Sequence, residues 1–203
     1  MIRRALAVAG LLLSLPTHAQ LGTAAPPSLR IVNVRTFCVN NLTPYLQADL
    51  VINEEDKGFP GVIYVGTLDD GRQNPHFLGP NGWTAWGSGT IPVYSIMREG
   101  LAVPVRPLQQ QTVGVTLNLS SLPAMGSQSI YMGYGALSAK SEKAVQGGID
   151  AVAMMRKKFP DRQLPPSVDP DMHRLALVQD DMTRNGKYNF VLSSASIPVC
   201  QTN

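Results

Sequence analysis

The sequence is short of the residues that usually carry visible chemistry. Its 203 residues include two cysteines, two tryptophans and three histidines. No serine sits in Gly-x-Ser-x-Gly, no His-Glu-x-x-His occurs, and neither cysteine has a motif histidine. Asp180 and Asp181 adjoin each other on a predicted helix, where neighbouring side chains point apart, so they make a poor acid/base pair. Arg156-Lys157-Lys158 is too small a basic cluster for a nucleic-acid surface and has no interleaved aromatics. No stretch after residue 20 is long and apolar enough to span a bilayer. Neither a catalytic motif nor a cofactor motif is legible.

What is present begins with an export signature. Arg3 and Arg4 precede an apolar run, Ala5–Leu15, that is too short to span a bilayer comfortably, and Pro16 breaks it. Thr17 and Ala19 place small residues three and one before a cut after Ala19, which predicts residues 1–19 as a signal peptide. An uncleaved anchor is the alternative. The chain has 17 basic and 14 acidic residues. Two of the basic ones are Arg3 and Arg4, so the remainder is close to neutral. Export makes a Cys38–Cys200 disulfide the expected state of the two cysteines, with an intermolecular bridge or free thiols as alternatives. The expected location is the periplasm or the cell surface.

Residues 20–28 read as a flexible leader rich in small residues and proline. Strands are predicted at Leu29–Val39, Tyr45–Ile52, Gly61–Thr67, from His76, at Ile91–Met97, Leu101–Val105, Thr112–Leu119 and Gln128–Gly135. Asn53–Gly58 reads as a solvated turn. Asp69-Asp70-Gly71 signals a turn that sends the chain back antiparallel. The pattern then becomes helical over Ser141–Phe159, with Ser141 as a plausible cap, and again over Met172–Arg184. Tyr188–Leu192 and Ile197–Val199 return to strand. The expected fold is mainly β: an immunoglobulin-like, antiparallel β-sandwich over residues 29–203. One or two helices and a proline-rich loop are inserted near the C-terminus, at about 138–178.

Three stretches carry a resemblance: Val62–Gly66 with the following turn and Phe77; Gly82-Trp83 with Trp86 and Tyr94; and Ile130-Tyr131-Met132-Gly133-Tyr134-Gly135. Together with Asp181-Met182 and Lys187–Val191, these resemble an uncharacterised β-sandwich domain of exported Gram-negative surface and pilus-associated proteins. The resemblance implies architecture and an envelope context, and no catalytic residues. Ser138–Val178 departs from that pattern as an insertion of roughly forty residues.

Candidate contact residues follow. Trp83 and Trp86, with Tyr131 and Tyr134 nearby, offer a stacking platform for a sugar or a partner's apolar side chain; packing at one end of the sandwich is the plainer reading of the tryptophans. Val145, Ile149, Val152, Met155 and Phe159 form a helical stripe, which either faces another protein or packs on its own sandwich. Asp169, Asp171 and His173 are weak metal-ligand candidates, since acidic residues before a helix are ordinary caps. The leading expectation is a non-enzymatic accessory of a surface or pilus-type assembly, acting through contacts with other envelope proteins. A glycan- or small-ligand-binding module is the alternative. A hydrolase using His173 with Asp169 or Asp171 comes last.

Overall fold

A computed structural model of the chain describes residues 25–71, 74–102, 112–124, 126–160 and 170–200. The predicted signal peptide and the Pro-rich stretch 161–169 lie outside these residues.

Two antiparallel sheets form the body. The first sets β1 (Ile31–Val39) beside β2 (Thr43–Val51) and β2 beside β7 (Thr112–Asn118). Strict alternation along β2 buries Leu46, Ala48 and Leu50 on one face, opposite Val115 and Leu117 of β7. The second sheet is built on β3 (Gly61–Asp69), which pairs with β4 (His76–Gly79) and, nearer its start, with β6 (Ser95–Met97). Beyond β4 lies β5 (Gly82–Ala85). On its other side β3 pairs along its whole length with β8 (Gln128–Ala136), and β8 pairs with β9 (Tyr188–Ser193). Ile63 and Val65 of β3 and Ile130, Met132 and Tyr134 of β8 meet the buried residues of the first sheet in one core.

Between β8 and β9 run two helices, α1 (Ala139–Lys158) and α2 (Pro170–Arg184). Val178 and Met182 of α2 pack on Val62 and Tyr64, on the face of the second sheet that turns away from the core. This third layer explains why Gly61–Thr67 is buried at every position and reads as a nearly unbroken apolar run. It also explains the glycines of β8. A Cβ on Gly135 would lie 2.0 Å from the carbonyl oxygen of Val178, so the backbone of α2 rests directly on the strand there.

The fold is thus mainly β, with antiparallel sheets and two helices toward the C-terminus, as the sequence predicts. The strand order alone does not make it an immunoglobulin fold. Several details differ from expectation. Ser138, not Ser141, caps α1, its hydroxyl accepting the Ser141 N–H at 3.2 Å. Residues 197–199 form no strand; a short 3-10 turn, Ser194–Ser196, ends the ladder. Only Ser95–Met97 of the predicted strand 91–97 pairs. In the predicted strand 101–105, Leu101 makes an isolated bridge to Lys57 and residues 103–105 lie outside the described set. Residues 25–28, expected to be mobile, are tied down. Ala25 N–H donates to Thr183 O at 3.2 Å and Ser28 N–H to Gly186 O at 2.8 Å.

Cys38 and Cys200 form the expected disulfide, linking β1 to the segment after β9 across 162 residues of sequence. Closing so long a loop removes chain entropy worth about 5 kcal/mol in the loop-closure treatment.

Gly135→Ala should push α2 off the sheet and lower stability by about 1–3 kcal/mol or more, as overpacking against backbone does. Urea unfolding and hydrogen exchange of the α2 amides will show it, with the amides of β2 and β7 keeping their protection.

Candidate functional site

The outer face of the second sheet is only partly covered by α2. Beside the helix lies a groove of about 680 Å³. One wall is Phe77 set edge-on to Trp86, with ring centroids 5.8 Å apart. The opposite wall is Tyr131 set edge-on to Phe190 at 5.9 Å. Tyr64 and Gly66 of β3 and Met182 of α2 also line it, and Pro27 of the tied-down leader closes one side.

The candidate aromatics therefore divide. Trp86 and Tyr131 face this groove. Trp83 instead packs against the core between the sheets, and Tyr134 is fully buried there. Alternation along β8 separates the tyrosines, since 131 and 134 differ by an odd number of positions. No single platform unites all four residues.

The stripe of α1 divides as well. Val145 is buried, whereas Ile149, Met155 and Phe159 remain 37%, 44% and 40% exposed. Ile149 and Val152 flank a second groove of about 350 Å³ between the helices, shared with Val145, Arg156, Pro170 and His173. Arg174 clamps the two helices by a forked contact with Glu142, at 3.0 and 2.5 Å. Hydrogen bonding to Arg174 holds the Glu142 carboxyl below its ordinary range.

The metal candidates do not assemble. Asp171 pairs with Arg174 at 3.1 Å, in the first turn of α2. His173 lines the inter-helix groove, and Asp169 lies outside the described residues. Among the described residues no three His, Cys, Asp or Glu side chains gather in a metal-binding geometry.

Sequence reasoning missed the densest polar constellation. Lys187, whose side chain is 5% exposed, places Nζ 2.8 and 2.7 Å from the two carboxylate oxygens of Asp56 and 3.0 and 2.9 Å from those of Asp181. The Tyr134 hydroxyl donates to Asp56 Oδ2 at 2.8 Å and accepts the Asn53 N–H at 3.0 Å. Asp181 Oδ2 accepts the Ala136 N–H at 2.8 Å, and Nζ lies 5.6 Å from the centre of the Tyr134 ring. Asp180 turns the other way, to Arg184.

Burial pulls the Lys187 ammonium toward deprotonation, but the hydrogen bonds and charges of Asp181 and Asp56 more than offset this and raise its pKa. Burial also holds the Tyr134 phenol well above its ordinary value, and the carboxylates of Asp56 and Asp181 add to the shift. Tyr64 is raised in the same way, by burial first and by Asp181 second. Lys187 and Asp56 are buried and Asp181 is partly so, with every charge paired, which suits a structural pin.

No protein-family model matches the chain, and the searches of curated proteins and of solved structures likewise find no match. Among the described residues, no helix is long and apolar enough to cross a membrane.

Lys187→Met leaves the buried Asp56 and the partly buried Asp181 without their cation and should cost about 3–5 kcal/mol, measured by urea unfolding at neutral pH. A second expectation concerns alkali. Lys187, Tyr134 and Tyr64 all have folded pKa values raised above the unfolded ones. Their contributions are complete below about pH 10, the unfolded range, and are lost as pH rises toward the folded values. Stability should fall steeply above about pH 10, and Tyr134→Phe should flatten that fall.

Proposed function

We propose that this is a non-enzymatic envelope or surface protein that acts by protein–protein contact, as an accessory of a surface or pilus-type assembly. The observation that carries the reading is the exposed apolar face on the helix pair. Ile149 and Met155 of α1, Phe159 just past its end and Met172 of α2 are all at least 37% exposed, on helices that cap a body already possessing its own core. Val145 alone anchors α1 by burial. Apolar side chains left this exposed along the stripe suit a partner element laid against it.

Charge narrows the partner. Arg156, Lys157 and Lys158 follow the stripe in the last turn of α1, and Arg156 lines the groove between the helices. A partner segment with apolar anchors and flanking acidic residues complements this face. The N-terminal signal read from the sequence and the Cys38–Cys200 bridge support an exported setting, since such bridges persist in oxidising compartments.

Ile149→Asp combined with Met155→Asp places two charges on exposed positions and should leave unfolding unchanged within about 0.5 kcal/mol. After cross-linking in intact cells, the native protein should bring down a defined set of envelope or filament subunits, and the double variant should lose them. An identical set recovered with the variant would remove the helix pair as the contact surface.

A further inference from the structure

We propose that the aromatic groove on the outer face of the second sheet binds an uncharged, largely apolar small molecule carrying one hydrogen-bond acceptor, which the Tyr64 hydroxyl receives. This site lies on the sheet and is separate from the stripe of α1.

Size is the first argument. At about 680 Å³ the groove falls within the roughly 300–1,000 Å³ of small-molecule sites. Its two edge-on aromatic pairs, Phe77 with Trp86 and Tyr131 with Phe190, offer flat apolar walls to a ring or a branched hydrocarbon.

Charge is the second. None of the described residues lining the groove is Asp, Glu, Lys, Arg or His. A charged ligand would leave water without a counter-charge, at a cost that apolar contacts do not recover.

The third argument concerns polar groups, and it separates an apolar ligand from a sugar. Most polar atoms around the groove are already engaged. The Thr183 hydroxyl donates to Gln179 O at 3.1 Å, the Tyr188 hydroxyl to Ala25 O at 3.1 Å, and the Asn189 amide to Leu29 O at 2.9 Å. A polyhydroxylated ligand would find few free partners. Tyr64 differs. It lines the groove and is 2% exposed, and its hydroxyl has no hydrogen-bond partner among the described residues. The Thr67 hydroxyl is also buried without one; Thr67 lines the groove too, but alternation along β3 turns its side chain to the face opposite Tyr64, the face of Ile63 and Val65. Buried hydroxyls are normally satisfied, so an orphan beside an apolar groove marks the place where a ligand acceptor belongs.

The test uses the disulfide-bonded protein and three naphthalene probes of one shape: 2-acetylnaphthalene, 2-ethylnaphthalene and 2-naphthoate. Binding is followed by calorimetry and by the Trp86 indole resonance. The ketone should bind roughly 3- to 10-fold tighter than the hydrocarbon, the gain of one hydrogen bond to a donor that otherwise has none, and the naphthoate should bind least. Tyr64→Phe should abolish the ketone preference without lowering the urea midpoint, because the hydroxyl has no internal partner to lose. Phe190→Glu, a charge at a rim position 47% exposed, should weaken both uncharged probes while the protein stays folded. Failure of both uncharged probes to bind at millimolar concentration overturns the assignment. So does naphthoate binding as tightly as the ketone, a ketone preference that survives Tyr64→Phe, or a loss of stability in that variant.

Discussion

The structure turns on one buried cation. Lys187 stands at the entry to β9, Asp181 on α2, Asp56 in the short turn Glu54–Asp56 after β2, and Tyr134 on β8. Three stretches distant in sequence, around residues 56, 134 and 181–187, are thereby fixed to one point. The attraction itself contributes little net stability, because stripping water from three charges offsets most of it. Its effect is on uniqueness. Sliding α2 by one turn would take Asp181 away from both Lys187 and the Ala136 N–H it accepts, leaving charges buried and unpaired.

That pin and the glycines of β8 depend on each other. Asp181 reaches Lys187 only because α2 lies against the strand, and α2 lies there only because Gly133 and Gly135 present no side chain to it. A bulkier residue would lift the helix, stretch the ion pair and expose Val62 and Tyr64 together. Beside the helix part of the sheet stays uncovered, and this uncovered part is the aromatic groove.

Much of this was legible in the sequence. Alternation marks β2, β7 and β8, an unbroken β-forming run marks β3, and periodicity marks both helices. The disulfide followed from two cysteines in a chain that reads as exported. The groove was half legible: Trp86 and Tyr131 stood out as aromatics, but Phe77, Tyr64 and Phe190 join them only through sheet pairing. The pin was invisible for a plainer reason. Asp56 sits in a polar run that reads as a solvated turn, and its partner Lys187 lies 131 residues away. No local pattern connects them. Ile197–Val199 misled because β-propensity describes a side chain that fits a pleated surface, and among the described residues no neighbouring strand supplies one.

The Cys38–Cys200 bridge has a mechanical consequence. Tension applied to the chain before Cys38 and after Cys200 passes through the sulfur–sulfur bond and bypasses everything between. Roughly 550 Å of contour is withheld from extension, at about 3.4 Å for each of the 162 residues spanned. Among the described residues, the segment ahead of Cys38 is what is left to peel, beginning with the hydrogen bonds of Ala25 and Ser28 to the end of α2 and the turn after it. Under load the bridged part of the protein behaves as an inextensible link, with a short, yielding strap ahead of Cys38.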